Sequence, residues 1–95
     1  MLQPQPVKTK MTRQKYNIVF ATYQNSQYII SECSDITFIN NGTTNCYING
    51  FLLAAGASIG FSAQWNEIDT TKYNLVFNDP TISNNSVTVI KKIYV

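Results

Sequence analysis

The sequence predicts an all-β protein, an antiparallel sandwich of seven or eight strands that follows an extended N-terminal arm. Short runs rich in aromatic and β-branched residues recur along the chain at regular spacing, as they do in sandwich strands. Asn, Gly, Asp and Pro residues separate these runs and are typical of turns. No stretch keeps the 3.6-residue apolar period of a helix. Immunoglobulin-like and jelly-roll-like arrangements both fit this pattern, and the sequence leaves the choice between them open.

The length of 95 residues predicts one domain in two parts, an extended basic arm over residues 1–14 and a sandwich over residues 15–95. Pro4 and Pro6 exclude a helix from the start of the arm. Residues 1–15 hold four cations and no acid. Such a segment can reach the acidic face of a neighbouring protein or a phosphate backbone, although a solvated tail is its commoner role. The candidate assembly contacts are these four cations: Lys8, Lys10, Arg13 and Lys15.

The first two strands are predicted at residues 15–23 and 28–33, with a polar turn between them. Alternate side chains of a strand share one face. In the first strand the apolar face consists of Tyr16, Ile18 and Phe20. The third and fourth strands are predicted at residues 36–39 and 45–48. Asn41-Gly42 stands between them and favours positive φ, so we expect a hairpin about this pair.

Asn49 and Gly50 form the most definite local signal in the chain because they stand between two apolar runs. Asn-Gly in that position selects a two-residue type I′ turn, whose central residues both need positive φ. We therefore expect a tight hairpin between the fourth strand and a short fifth strand at residues 51–53.

The sixth and seventh strands are predicted at residues 58–62 and 72–77. The segment between them, residues 63–71, is the longest irregular connection. We expect Trp65 and Ile68 to anchor it to the core. Its candidate interface residues are Trp65, Glu67 and Asp69.

The chain closes with a strand over residues 86–95, in which Val87 and Val89 face inward. The alternation of apolar and polar residues changes phase at Lys91 and Lys92. That change predicts either a bulge or an edge strand protected by lysines.

The two cysteines, Cys33 and Cys46, are expected to be reduced and partly buried. In a hairpin about residues 41–42, Phe38 would lie opposite Cys46, so a bridge from Cys33 would need a bulge or a second sheet. Two reduced thiols are typical of a chain assembled in a reducing cytosol. The first six residues also lack the apolar core of a secretory signal.

The residue types argue against catalysis. The chain has no histidine, which removes His-assisted nucleophiles, the commonest zinc sites and most proton shuttles. Two separated cysteines do not make a metal site, and the close carboxylate pairs Glu32–Asp35 and Glu67–Asp69 supply too few oxygens for a calcium cage. No glycine-rich loop opens a helix, so nucleotide binding has no support. We expect no enzyme activity, no cofactor and no metal.

Polarity comes from Asn, Thr, Ser and Tyr rather than from charge. Charged residues make up 13% of the chain, against roughly 25% in a typical soluble domain. This composition suits a surface covered by neighbouring subunits or an extracellular adhesive module, and an AT-rich genome would produce it as well. The aromatic residues can likewise build a sugar-binding platform or lie half-buried on strands.

A series of turns and strands carries a family resemblance. It runs through Phe38-Ile39-Asn40-Asn41-Gly42-Thr43, Tyr47-Ile48-Asn49-Gly50, Leu53, Gly56-Ala57-Ser58, Glu67-Ile68-Asp69-Thr70-Thr71-Lys72-Tyr73 and Val89-Ile90-Lys91-Lys92. This pattern, which covers residues 16–95, resembles small β-sandwich virion structural proteins from phages of Bacteroidota-type hosts. Ala55 stands where such relatives are expected to have proline, a departure that costs turn rigidity.

The resemblance implies a virion component: a capsid, penton, decoration, spike-base or head–tail protein. Other virion proteins and further copies of this chain would then be its partners, and the virion, assembled in the host cytoplasm, its location. Nucleic acid contact through the basic arm is a less favoured possibility, and no membrane span is expected. The alternative from the residues themselves is a carbohydrate- or host-surface-binding module that works through exposed Tyr and Trp side chains.

Overall fold

The computed structural model describes residues 13–95, which form eight strands and one short 3-10 helix, Ile82–Asn84. In chain order the strands are β1 (Tyr16–Tyr23), β2 (Gln27–Ile30), β3 (Asp35–Asn40), β4 (Cys46–Ile48), β5 (Phe51–Leu53), β6 (Ser58–Ser62), β7 (Lys72–Phe77) and β8 (Val87–Tyr94). Their order along the chain and their short length agree with the strands predicted from the sequence.

The strands form two antiparallel four-stranded sheets, sheet A in the order β1-β8-β3-β6 and sheet B in the order β2-β7-β4-β5. The first strand pairs with the last, the second with the seventh, the third with the sixth and the fourth with the fifth. The pairs β3–β8 and β4–β7 complete the sheets. This is the double Greek-key order of a jelly roll. The predicted β-sandwich is confirmed, and the immunoglobulin-like alternative fails because that fold pairs its first strand with its second.

The core lies between the sheets, where alternate residues of each strand point inward. Phe38 of β3 is fully buried, and its ring meets the ring of Tyr73 in β7 edge-on with centroids 5.0 Å apart. Removing a side chain of this kind from water contributes about 1.5–3 kcal/mol. The other buried hydrophobic residues are Ile29, Cys33, Ile36, Cys46, Ile48, Leu53, Leu75, Val87 and Val89.

The hairpin predicted at Asn49 and Gly50 is confirmed. β4 and β5 pair on either side of it, and φ is 49° at Asn49 and 82° at Gly50, as a type I′ turn requires. Asn49 also fastens the turn to β7. Its N–H donates to the Asn74 carbonyl at 2.9 Å, and its Oδ1 accepts from the Asn74 N–H at 2.7 Å.

The hairpin predicted about Asn41 and Gly42 is wrong. β8 and β6 occupy both edges of β3, so β4 belongs to the other sheet and residues 41–45 cross between the sheets. Gly42 serves a close approach of two chain segments. A Cβ at this position would lie 2.5 Å from the Asn84 carbonyl oxygen and 2.7 Å from the Ser86 nitrogen.

The bulge or edge position predicted from Lys91 and Lys92 is also wrong. β8 lies between β1 and β3, and its register with β1 is unbroken from end to end. Lys91 lies opposite the buried Ile36, so its side chain starts on the inner side of sheet A. The Nζ atom donates to the Ile30 carbonyl at 2.6 Å, because the long apolar stem can carry the ammonium group to the rim of the sandwich.

Connections cluster at the two ends of the sandwich, as alternating antiparallel strands require. One end, which we call the arm end, carries the start of the described chain, since the Lys15 carbonyl accepts from the Val95 N–H at 3.0 Å. Its other connections are residues 31–34, 49–50 and 63–71. The opposite end holds residues 24–26, 41–45, 54–57 and 78–86.

The opposite end is held by a buried asparagine. Asn40 is fully buried, and its Nδ2 donates to the carbonyls of Thr44 and Leu53, both at 2.9 Å. Its Oδ1 accepts from the Gly42 N–H at 3.1 Å. The side chain therefore satisfies three backbone groups, two in the crossing segment of residues 41–45 and one at the end of β5, which gives part of the asparagine content a structural reason.

Candidate functional site

The described members of both groups of candidate residues lie at the arm end, and two of the four candidate cations of the basic arm are outside the described residues. Arg13 and Lys15 are exposed at the start of β1. Lys15 is bonded to Val95, and the preceding residue, Tyr94, lines a cleft together with Trp65. Lys8 and Lys10 lie among residues 1–12, which the structure does not describe.

The loop of residues 63–71 is fastened to residues 31–34 through the backbone. Cys33 and Asp69 form an antiparallel bridge in which the Asp69 N–H donates to the Cys33 carbonyl at 2.8 Å and the reverse bond measures 3.4 Å. The Ser31 N–H donates to the Thr71 carbonyl at 3.1 Å. These bonds continue the β2–β7 ladder, so backbone pairing sets the position of the loop.

The carboxylate of Asp69 is engaged within this loop. Its Oδ1 accepts from the Thr71 N–H at 2.8 Å and its Oδ2 accepts from the Tyr73 hydroxyl at 2.7 Å. Burial favours the neutral acid, but hydrogen bonds from Thr71, Tyr73 and Ser31 outweigh it and lower the pKa of Asp69. Burial and the bond to Asp69 raise the pKa of Tyr73 to about 12, so its hydroxyl remains a donor. Asp69 thus stabilises the loop, and its part in an interface stays a prediction.

The tip of the loop is a turn closed by Glu67. Its Oε1 accepts from the Gln64 N–H and its own N–H donates to the Gln64 carbonyl, both at 2.9 Å. Trp65 is 64% exposed and Ile68 is 66% exposed. The prediction that these two residues anchor the loop to the core is therefore wrong. The backbone bridge to Cys33 does so instead, and both apolar side chains face outward.

A cleft of about 160 Å³ separates the loop tip from residues 31–34 and from the end of β8. Trp65, Ile68 and Ile93 supply apolar lining, and Glu32 and Glu67 supply carboxylates. Pockets for small organic ligands measure roughly 300–1,000 Å³, so this cleft better fits a single side chain. A lysine or arginine suits such a lining because its stem is apolar and its end is cationic.

A cationic aromatic cluster lies beside this cleft on the outer side of sheet A. Tyr16 and Tyr94 are cross-strand partners whose rings meet edge-on with centroids 6.0 Å apart. The Nζ of Lys92 lies 4.6 Å from the Tyr16 centroid and 5.3 Å from the Tyr94 centroid. Such contacts contribute about 0.5–1 kcal/mol each at an exposed site, so they order the start of β1 without burying it.

Both thiols are free, as expected from the sequence, and both are buried, whereas only partial burial was expected. Cys33 belongs to the lining of the cleft, and burial raises the pKa of its thiol. Cys46 lies in sheet B, and burial raises its pKa to about 11. A thiol with a raised pKa is a poor nucleophile because the thiolate is the reactive form.

An apolar surface that the sequence did not predict lies along β1. Ile18 is 47% exposed and Phe20 is 65% exposed, and Ile90 lies opposite Phe20 on the same side of sheet A. Val19 points the other way and is still 43% exposed, so the first half of this edge strand is uncovered on both sides. The signal in the sequence is the run of four consecutive apolar residues at 18–21, where a half-buried strand would alternate.

The described residues contain no group of three or more His, Cys, Asp or Glu side chains arranged to hold a metal ion. Residues 13–95 also include no helix with the length and apolar character needed to cross a bilayer. Comparisons with protein-family models, with curated proteins and with solved structures returned no match.

Proposed function

We propose that this chain is a non-enzymatic structural protein of a phage virion that acts by multi-copy protein–protein assembly. The observation that carries the proposal is the exposed apolar surface of a weakly charged jelly roll. Phe20, Trp65 and Ile68 are each more than half exposed, and charged residues make up only 13% of the chain. Large exposed apolar side chains that adjoin one another, as Ile18 and Phe20 do on the outer side of β1, mark surfaces that other proteins cover.

The fold is compatible with this role but does not by itself select it. Jelly rolls build viral capsid domains, lectin domains and cupins, and one fold serves many functions. The resemblance of residues 16–95 to small virion proteins of phages of Bacteroidota-type hosts favours the first of these. It leaves open which virion component this chain would be.

Charge at the arm end supports contact between neighbouring copies. Arg13 and Lys15 are exposed there, and Glu32 and Glu67 contribute to the lining of the adjacent cleft. A basic arm from one copy would meet opposite charge at this end of the next copy, and its lysine stems would meet Trp65. The arm would thus clasp its neighbour.

Mass spectrometry of purified phage particles tests the proposal. We expect the chain in multiple copies per particle, and its absence from the particle would contradict the proposal. Deletion of residues 1–13 should leave the sandwich folded, because β1 begins at Tyr16, but should weaken assembly as measured by light scattering. The matched control is Lys72→Gln, which removes one cation from the outer side of sheet B and should leave assembly unchanged.

A second candidate is a carbohydrate- or host-surface-binding module. The observation that favours it is the aromatic grouping at the arm end, where the exposed Trp65 shares a cleft with Tyr94 and Tyr16 contacts Tyr94. Aromatic faces of this kind stack on sugar rings. A glycan array decides between the candidates: hits that Trp65→Ala abolishes support this module, and an array without hits removes it.

A further inference from the structure

We infer that two copies of this chain pair through the uncovered edges of their β1 strands, antiparallel about a two-fold axis at Val19. The inference deepens the proposed assembly role, on which its biological meaning rests, by naming a second copy as the partner and β1 as the contact. The physical claim concerns the chain alone and is testable in solution.

Edge length distinguishes β1 from the other three edge strands. Within residues 13–95, β1 pairs with β8 on one side and with no strand on the other. It has eight residues, whereas the edge strands β6, β2 and β5 have five, four and three. Proteins protect long edges with lysine, proline or a bulge. Tyr16–Tyr23 contains no charge and no proline, and its register is unbroken.

The direction of the uncovered backbone groups follows from one hydrogen bond. The Val95 N–H donates to the Lys15 carbonyl at 3.0 Å, and bonding to a given neighbour alternates along an antiparallel ladder. Odd-numbered residues of β1 therefore bond to β8, and even-numbered residues direct N–H and C=O to the uncovered edge. These even-numbered residues are Tyr16, Ile18, Phe20 and Thr22.

Identical strands satisfy this edge best in one register. When the pair is centred on Val19, Ile18 lies opposite Phe20 of the second copy and Tyr16 lies opposite Thr22 of the second copy. All four even-numbered residues then bond to one another, and every backbone group on the edge has a partner. If the two-fold axis passed through Ile18 or Phe20 instead, one of these four residues would lie opposite a residue outside β1 of the second copy.

Charge favours the antiparallel orientation. No residue between Tyr16 and Ser31 is charged, so the contact itself brings no like charges together. Lys15 of one copy lies beside Tyr23 of the other, eight residues from the second Lys15. At about 3.4 Å per residue that is about 27 Å, well beyond a Debye length of about 8 Å. A parallel pair would place the two basic arms side by side.

The available area predicts a reversible dimer. Tyr16, Ile18, Val19 and Phe20 are 51%, 47%, 43% and 65% exposed. If a fully exposed side chain of this kind presents on the order of 200 Å², these four side chains offer about 400 Å² per copy and about 800 Å² for the pair. Stable interfaces bury about 1,200–2,000 Å². Main-chain hydrogen bonds add affinity in strand pairing, so we expect the dimer fraction to rise with concentration between about 10 μM and about 1 mM.

Hydrogen exchange and light scattering on the full chain test the inference together. We expect a concentration-dependent dimer in which the backbone N–H groups of Ile18 and Phe20 exchange slowly, because they donate across the edge. A particle mass that stays monomeric up to about 1 mM would overturn it. Slow exchange of these two N–H groups in a monomer would overturn it as well, since a segment of the same chain would then cover β1.

Charge substitutions test the register. Ile18→Glu with Phe20→Glu sets introduced carboxylates opposite each other and should abolish the dimer. Ile18→Lys with Phe20→Glu sets opposite charges across the axis and should restore it. The matched control, Tyr28→Glu with Ile30→Glu, places the same change on the β2 edge, where both residues are more than half exposed. It should leave the dimer intact.

Each result of the substitutions either supports or contradicts pairing through β1. A dimer that survives Ile18→Glu with Phe20→Glu would contradict β1 pairing, and so would a dimer that only the β2 control disrupts. Circular dichroism shows whether the variants remain folded, and Phe20→Pro removes one uncovered N–H without touching the bonds to β8. A dimer with these properties would stand even if the chain proved absent from phage particles, so the two proposals fail separately.

Discussion

The hydroxyl of Tyr73 donates a hydrogen bond of 2.7 Å to Oδ2 of Asp69, and this bond ties a core strand to the loop that presents Trp65. Tyr73 is buried and its ring meets Phe38, so its position is set by the core. Asp69 is set by the backbone bridge to Cys33. The loop at the arm end is thereby held to the sandwich at two points.

Tyr73→Phe removes this bond and little else. We expect a loss of about 1–2 kcal/mol in the free energy of unfolding, because a hydrogen bond to a charged group disappears while the ring remains. Urea denaturation measures it. In a double-mutant cycle with Asp69→Asn, the two changes should be non-additive by at least about 0.5 kcal/mol. Strictly additive losses would show that the two side chains do not interact.

Acid should remove the contribution of Asp69. The pKa of Asp69 is lowered in the folded protein, so its stabilisation is present above the unfolded pKa of about 3.9 and is lost as pH falls through the folded pKa. The stability difference between the wild type and Asp69→Asn should stay constant from about pH 7 to pH 5 and shrink below pH 3.9. A difference that is independent of pH down to acid would contradict this assignment.

Two glycines should respond differently to the same substitution. At Gly42 a Cβ would overlap the backbone at Asn84 and Ser86, so Gly42→Ala should cost several kcal/mol, on the order of 3 or more. At Gly50 the space is open but φ is +82°, so Gly50→Ala should cost only about 1–2 kcal/mol. Thermal unfolding of both variants checks the ranking, and an equal cost would refute it.

Removing the buried amide of Asn40 should cost more stability than removing the exposed amide of Asn45. Asn40→Ala deletes three hydrogen bonds and leaves the carbonyls of Thr44 and Leu53 without that donor, for a loss of about 2–4 kcal/mol. Asn45→Ala is the matched control. Asn45 is exposed and accepts one bond of 3.1 Å from the Ala55 N–H, so its loss should stay near 1 kcal/mol or below, about the value of one hydrogen bond. Chemical denaturation of both variants measures the two losses.

The thiols should resist labelling in the folded protein. Burial raises the pKa of Cys46 to about 11, so at pH 8 on the order of one molecule in a thousand carries the thiolate. A thiol-specific disulfide reagent should label neither cysteine in buffer and both in concentrated urea. Rapid labelling of Cys46 under native conditions would mean that the core opens far more readily than its packing indicates.

Local features of the chain were predictable where the governing interactions are local. The Asn49-Gly50 turn is correct because positive φ at two adjacent residues is a property of those residues. Asn41-Gly42 has similar composition, yet Gly42 is there to let residues 84–86 pass at close range. No local pattern reports a neighbour that is about forty residues distant.

The candidate site shows the same division. The irregular connection at residues 63–71 was predicted from the sequence, but Trp65 and Ile68 were expected to anchor it to the core, and a backbone bridge does so instead. Backbone pairing of that kind leaves no side-chain pattern. Lys91 likewise occupies an inward position, although its charge would predict an outward one. The position is tolerated because its long stem reaches the rim of the sandwich, where the ammonium group donates to the Ile30 carbonyl.

The sequence by itself determined an all-β sandwich of short strands, the type I′ turn at Asn49 and Gly50, the absence of histidine chemistry and the cations that precede the first strand. Those follow from residue type, spacing and local backbone preference. The tertiary structure decided the jelly-roll order, the central position of β8 and the edge of β1 that no strand within residues 13–95 covers. Each of these depends on which distant strand supplies the hydrogen-bond partners, and that choice is made by the packing of the whole sandwich.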